Sequence, residues 1–137
     1  MVEKNKVVMV SGKRKTAIAQ VRIENGNGEV LFNGLPYTKL QTFHRIALSE
    51  PIKISENVLG KFDFKLRVRA RGGGKESQIQ AARLGIAKAI IKFTNSAELK
   101  KAFLQYDRHL LVADTRRKEV YKPGDSKARA KRQTSYR

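Results

Sequence analysis

Lys61-Phe62-Asp63-Phe64-Lys65-Leu66-Arg67-Val68-Arg69-Ala70-Arg71-Gly72-Gly73-Gly74-Lys75 is the stretch that decides the fold. Successive side chains of a strand point to opposite faces, so Phe62, Phe64, Leu66, Val68 and Ala70 share one side. The other side holds Lys61, Lys65, Arg67, Arg69 and Arg71 with a single acid, Asp63. One face requires a core and the other does not. Three glycines stop the strand, and Ser77 and Gln80 stand in capping-box relation ahead of a long helix. The apolar stripe of that helix is Ile79, Ala82, Ile86, Ala89, Ile90 and Phe93. A strand with one apolar face, followed by a helix with one apolar stripe, predicts an α+β fold.

Working outward, Ala17, Ala19, Val21 and Ile23 alternate with Ile18, Gln20, Arg22 and Glu24, which predicts a second strand. Asn25-Gly26-Asn27-Gly28 carries two Asn-Gly turn signals and predicts a hairpin whose returning strand is residues 29–32. Residues 7–10 predict a further strand. Residues 43–59 have helical spacing, and Pro51 predicts a break into two short helices. Asn95 and Glu98 predict another cap, ahead of a last helix carrying Leu99, Ala102, Phe103 and Tyr106. No internal repeat is present. The expectation is one α+β core domain over residues 1–107, with a mixed sheet and packed helices.

The chain has 137 residues, and its 30 Lys and Arg against 12 Asp and Glu give a formal net charge of +18. A polyanion therefore ranks first among partners. Residues 1–107 hold 20 basic and 9 acidic side chains, and residues 108–137 hold 10 and 3, so the last segment is the most densely basic. From residue 111 onward the only large apolar residues are Leu111, Val112, Val120, Tyr121 and Tyr136. Such a segment buries too little apolar area to offset its ordering entropy, which predicts an extended basic tail over residues 108–137 that orders on a partner. Zero cysteines exclude disulfides, thiolate metal sites and a cysteine nucleophile, and fit a reducing compartment. No unbroken apolar run exceeds four residues, at 7–10 and 110–113, which predicts neither a membrane span nor a secretory leader.

Arg67, Arg69 and Arg71 recur about 7 Å apart at strand rise, close to the spacing of phosphates along a nucleic-acid strand. They run into Gly72-Gly73-Gly74 and Lys75, where converging backbone N–H groups and a helix N-terminus suit an anion. The junction is no nucleotide P-loop, because Glu76 follows Lys75 and position 69 is not glycine. Lys13, Arg14 and Lys15 pack three cations into a loop before the second strand, with Thr16 as an added donor. The tail offers Arg116, Arg117, Lys118, Lys122, Lys127, Arg129, Lys131 and Arg132, interleaved with tyrosines able to stack on unpaired bases. His44 and His109, the only histidines, lie on separate segments, and the acids lack metal-ligand spacing. No catalytic constellation, cofactor fingerprint or metal site is visible.

Taken together, these motifs resemble the small-subunit ribosomal proteins of the S-nine family. The resemblance runs through Ser11-Gly12-Lys13-Arg14-Lys15-Thr16-Ala17, Gly60-Lys61-Phe62-Asp63 and the three glycines with Gln78. It continues through residues 81–89 of the long helix, and through Asp114, Arg116, Glu119, Gly124, Lys127-Ala128-Arg129, Gln133, Ser135 and Arg137. It implies a left-handed β-α-β crossover and a place on ribosomal RNA in the head of the small subunit, beside neighbouring ribosomal proteins in the cytoplasm. It also implies a tail reaching the anticodon stem-loop of peptidyl-site tRNA, a contact that falls on Tyr136 and Arg137. Ala113 and Tyr136 look like the archaeal and eukaryotic branch. Three competing classes make different demands. A general nucleic-acid compacting protein binds all duplexes alike, an RNA-cleaving enzyme needs a clustered site, and a membrane-surface peptide needs a basic amphipathic helix.

Overall fold

The computed structural model describes residues 6–132 and 134–136. The chain runs through β1 (Val8–Arg14), β2 (Ala17–Asn25), β3 (Val30–Phe32), β4 (Leu35–Pro36), α1 (Thr42–Leu59), β5 (Phe64–Arg71), α2 (Lys75–Thr94) and α3 (Ala97–Tyr106). Two 3-10 turns, Tyr37–Lys39 and Arg108–Leu110, complete it. The strands form one mixed sheet in the order β1-β2-β5-β3-β4, and only the β3–β5 pair is parallel. The alternation of β2 is realised as read, and that of β5 from Phe64 onward, while residues 61–63, read as part of the same strand, precede it. Ala17, Ala19, Val21, Ile23, Phe64, Leu66 and Val68 are buried on the inner face.

The predicted hairpin across Asn25–Gly28 does not form, because β5 lies between β2 and β3. The Asn-Gly segment instead passes over the start of β5. The Gly26 N–H donates to the Asp63 carbonyl at 3.0 Å, and the Leu66 N–H donates to the Glu29 carbonyl at 2.8 Å. A period of two states which face a strand buries and is silent on its neighbour. The two true hairpins are elsewhere. β1 and β2 join through Lys15-Thr16, with Arg14 paired to Ala17, so Gly12, Lys13 and Arg14 belong to a strand and not to a loop. β3 and β4 join through Asn33 and Gly34, whose φ values of 50° and 84° are those of a tight two-residue turn.

α1 runs through Pro51 without a break, against the two-helix expectation. A proline inside a helix costs about 3 kcal/mol or more through the lost hydrogen bond and its clash with the preceding turn. Pro51 lies on the buried stripe with Leu48, Ile52 and Ser55, so burial offsets that cost. The helix closes on Gly60 at φ 79°, whose N–H donates to the Glu56 carbonyl. α2 begins two residues before the predicted capping box. Gly74 is its N-cap, with no side-chain bond, and Ser77 lies inside the first turn. The last helix is capped by Ser96, which accepts from the Leu99 N–H at 3.3 Å, while Asn95 closes α2 at φ 53°.

α2 is more deeply buried than its stripe suggested. It packs against β1, β2, β5 and α1, and α3 packs on α1. Residues 81–87 are consequently buried on every side. Two glycines set the approach of helix to sheet. A Cβ on Gly12 would stand 2.1 Å from the Ala81 carbonyl oxygen, and one on Gly85 would stand 2.7 Å from the Val21 Cγ2. Leu110, in the 3-10 turn after α3, is also fully buried in this core.

Arg83 of α2 is a buried polar link between helices. Its Nε donates to Glu50 Oε2 of α1 at 2.6 Å, and its Nη1 donates to Asp107 Oδ2 after α3 at 3.0 Å. Burial raises the Asp107 pKa as the largest single effect. The His109 backbone N–H, with the hydrogen bond and charge of Arg83, outweighs it and holds the carboxyl below its ordinary value. A depressed folded-state pKa stabilises the fold above the ordinary carboxylate pKa of about 3.9, and that stability is lost as pH falls.

Two outcomes follow. Gly85→Ala gains about 1 kcal/mol of helix propensity, yet lowers stability in urea by about 1–3 kcal/mol net through overpacking, and Gly12→Ala lowers it further because the obstacle is backbone. Asp107→Asn destabilises at pH 7, and its deficit against the native chain shrinks as urea melts are taken below about pH 4. An unchanged deficit would show that Asp107 is not held ionised by the fold.

Candidate nucleic-acid interface

The outer face of the sheet carries no helix, and the pairing register arranges its side chains in rows. Arg67 stands between Arg22 of β2 and Leu31 of β3, Arg69 stands beside Gln20, and Arg71 stands beside Ile18. On the far side of β2, Met9 is opposite Arg22 and Lys13 is opposite Ile18. Two shallow clefts lie on this face, one lined by Met9, Gln20, Arg22, Arg67 and Arg69, the other by Ile18, Gln20, Arg69 and Arg71. Arg67, Arg69 and Arg71 are exposed, and among the described residues none has an ion pair or a side-chain hydrogen bond. Like charges placed directly across strands, such as Arg22 and Arg67, repel in the free protein. Met9 (63 %) and Ile18 (43 %) expose apolar surface among these cations. The face can therefore take an extended polyanion that also presents flat apolar groups.

Neighbouring acids already engage the flanking cations. Arg22 pairs with Glu24 at 3.2 Å and Lys65 with Glu29 at 3.0 Å. Lys61 pairs with Asp63 at 2.7 Å, and this hydrogen bond, with the Asp63 charge, raises the Lys61 pKa above its ordinary value. Among the described residues, the three arginines of β5 and Lys13 have no ion pair on this face. Arg22, Gln20 and Met9 were not singled out from sequence, although the alternation of β2 places Gln20 and Arg22 on the polar side.

The glycine junction is packed, not slack. Gly72 and Gly73 have φ of 79° and 58°, and a Cβ on Gly72 would stand 2.5 Å from the Thr16 carbonyl oxygen. The triglycine therefore abuts the Lys15-Thr16 turn. Gln78 Nε2 donates to the Gly72 carbonyl at 3.1 Å and fixes the loop to α2. Lys13, Lys15, Arg71 and Lys75 are exposed around these two turns. Arg14 is different. It is half-buried and pairs with Asp114, which ties the start of the C-terminal segment to the β1–β2 hairpin.

The C-terminal segment forms no helix or strand between residues 111 and 132. Its acids pair with its arginines, a feature that counting charges does not show. Arg116 Nη2 meets Asp114 at 2.7 Å, Arg129 Nε meets Glu119 at 2.9 Å, and Arg132 Nε meets Asp125 at 2.9 Å. Arg117 Nη1 donates to the Arg116 carbonyl and Lys122 Nζ to the Ala130 carbonyl. Lys118 lies 4.3 Å over the Tyr121 ring. Lys127 and Lys131 are exposed, as is Tyr136, while Arg137 lies outside the described residues. His44 Nε2 is bonded to Glu76 Oε1 at 2.6 Å in one cleft, and His109 lines another, so the structure does not bring the histidines together. Among the described residues no cluster of three or more metal-ligating side chains occurs, and no helix is long and apolar enough to cross a membrane.

Residues 12–137 match the family described as Ribosomal protein S9/S16. The chain is similar to the small ribosomal subunit protein uS9 of Methanococcus vannielii, 44 % identical over 135 residues that cover 96 % of this chain and 99 % of the relative. It is also 43 % identical to uS9 of Methanococcus maripaludis over the same shares of both chains. The archaeal source of both relatives agrees with the branch indicated by Ala113 and Tyr136. With a bare basic sheet face, the packed triglycine and a family match that spans the core and the C-terminal segment alike, the chain belongs to the ribosomal protein S9/S16 family.

Proposed function

We propose that this chain is a structural constituent of the small ribosomal subunit, bound to ribosomal RNA in the subunit head beside neighbouring ribosomal proteins in the cytoplasm, and without enzymatic activity of its own. The observation that carries the RNA contact is the row of Arg67, Arg69 and Arg71, exposed, unpaired among the described residues, and spaced about 7 Å apart. Phosphates neutralise such a row and release counterions, and the repulsion across Arg22 and Arg67 becomes an attraction to the shared anion. Lys13, Lys15, the glycine junction and Lys75 extend the contact at one end of β5. Ribosomal RNA also takes up Arg14, Arg116, Arg117, Lys118, Lys122, Lys127, Arg129, Lys131 and Arg132, displacing the weak exposed pairs that occupy several of them. The β3–α1–β5 connection, which joins neighbouring parallel strands through a helix, is read as the left-handed crossover of the family.

The tail, read from the sequence as residues 108–137, serves as the reaching arm beyond Leu110, which the core buries. A folded core stops at the surface of packed RNA, whereas its last 16 residues span about 50 Å when extended. Tyr136 and Arg137 are the contacts to the anticodon stem-loop of peptidyl-site tRNA, a positioning role with no bond chemistry.

Replacing Arg67, Arg69 and Arg71 together with glutamine is expected to lower the slope of log affinity against log salt by about 2 to 3 while leaving the core folded. An unchanged slope assigns that face to solvent. Deleting residues 122–137 is expected to leave the cooperative thermal unfolding of the core intact and to weaken tRNA retention in reconstituted subunits. Loss of the unfolding transition would contradict the division into core and arm.

A further inference from the structure

The chain contains three Asn-Gly pairs, Asn25-Gly26, Asn27-Gly28 and Asn33-Gly34. An asparagine followed by glycine is the pair most prone to close on itself, because glycine has no Cβ to obstruct the approach of its own nitrogen. The reaction needs two freedoms. The glycine N–H must be free to lose its proton and move, and the asparagine amide must be free to turn towards it. The fold withholds one or the other at two of the three pairs. Asn25 ends β2 opposite Phe64, and the Gly26 N–H donates to the Asp63 carbonyl at 3.0 Å. Asn33 is held on both sides of its Cα, since its N–H donates to the Val68 carbonyl at 2.9 Å and its Oδ1 accepts from the Ala70 N–H at 2.9 Å. Asn27 is exposed and lies between β2 and β3, outside either strand. Among the described residues neither its side chain nor the Gly28 N–H has a hydrogen bond.

We propose that Asn27 is a site of spontaneous deamidation in the folded chain, and that hydrogen bonds shield Asn25 and Asn33 from the same reaction. The Gly28 backbone nitrogen gives its proton to solvent base and attacks the Asn27 Cγ. The N–Cγ bond forms, the Cγ–Nδ2 bond breaks, and the side-chain nitrogen leaves as ammonia after taking up a proton. Water then opens the five-membered imide at either carbonyl and leaves aspartate or isoaspartate, with no change of oxidation state. The position of Asn27 gives the product a structural consequence. The segment is fastened over β5 at two points, the Gly26 N–H on the Asp63 carbonyl and the Leu66 N–H on the Glu29 carbonyl. Isoaspartate carries the backbone through the side chain and adds one carbon between those two points. The new carboxylate stands two residues before Glu29, which already engages Lys65 at 3.0 Å.

The test incubates the full chain at mildly alkaline pH, folded in one arm and unfolded in guanidinium chloride in the other. Fragment-ion mass spectrometry then locates each asparagine that has become aspartate or isoaspartate. In the folded arm Asn27 is expected to convert about tenfold faster than Asn25 or Asn33, the factor imposed by first opening one hydrogen bond. In the unfolded arm the three pairs are expected to convert at comparable rates, because the dipeptide is the same at each. Asn27→Gln is expected to remove the fast conversion from the folded chain and to leave its urea midpoint unchanged, since glutamine must close a larger ring. Conversion of Asn25 or Asn33 as fast as Asn27 in the folded arm would overturn the proposal. So would the same lead for Asn27 in the unfolded arm, which would place the selection in the local sequence and not in the fold. Aspartate without isoaspartate at Asn27 would overturn the route through the imide.

Discussion

Everything in this fold depends on how closely α2 lies on the sheet. Gly12 meets the Ala81 carbonyl and Gly85 meets Val21 at separations that admit no side chain. Dense packing of this kind leaves a helix no freedom to drift, and deep interiors lose contact energy steeply with any gap. With α2 pressed against β1, β2 and β5, α1 and α3 stack outward on the same side. Among the described residues, Gln20, Arg22, Arg67, Arg69 and Arg71 on the other face of the sheet stay exposed.

That asymmetry turns a packing solution into an electrostatic one. The alternation that buries Phe64, Leu66 and Val68 obliges Lys65, Arg67, Arg69 and Arg71 to project outward together. Nearby acids engage Arg22, Lys61 and Lys65, and among the described residues the three arginines of β5 have no ion pair. In the C-terminal segment the opposite holds, since Asp114, Glu119 and Asp125 each engage an arginine. Exposed pairs of that kind are worth about 0–1 kcal/mol, so a phosphate displaces them at small cost. The arginine row thus lies on a strand of the sheet, whereas arginines of the C-terminal segment are held in exposed pairs.

Much of this was legible in the sequence, for definite reasons. The period of two in residues 61–71 is strict, so β5, its buried face and its arginine row were readable directly. The stripe of α2 and the helix through Leu99 and Phe103 were readable for the same reason. Pairing was not. The run of residues 25–28 carries the residues of a hairpin turn, but which strand fills the gap beside β2 is decided by long-range packing. The Asn33-Gly34 turn was present in the letters and passed over. Pro51 misled because the local cost of proline was visible and the burial that offsets it was not. At the site, the arginine face was anticipated, whereas Arg22, Gln20 and Met9 joined it only through the register of β1 and β2. The family match extends the same logic, since it spans the glycines at the α2–sheet contact as well as the basic segment.

The central claim is that the charge on the bare sheet face and the arm is arranged for one folded RNA and is more than a general attraction to polyanions. The direct measurement is competition binding of the full chain, at physiological salt, between small-subunit head-domain RNA and an equal mass of unrelated duplex. The account predicts a preference of about a thousandfold, the lower end of specific over non-specific ratios known for nucleic-acid-binding proteins. Equal affinity for both would contradict it and leave a protein that compacts nucleic acid by charge alone.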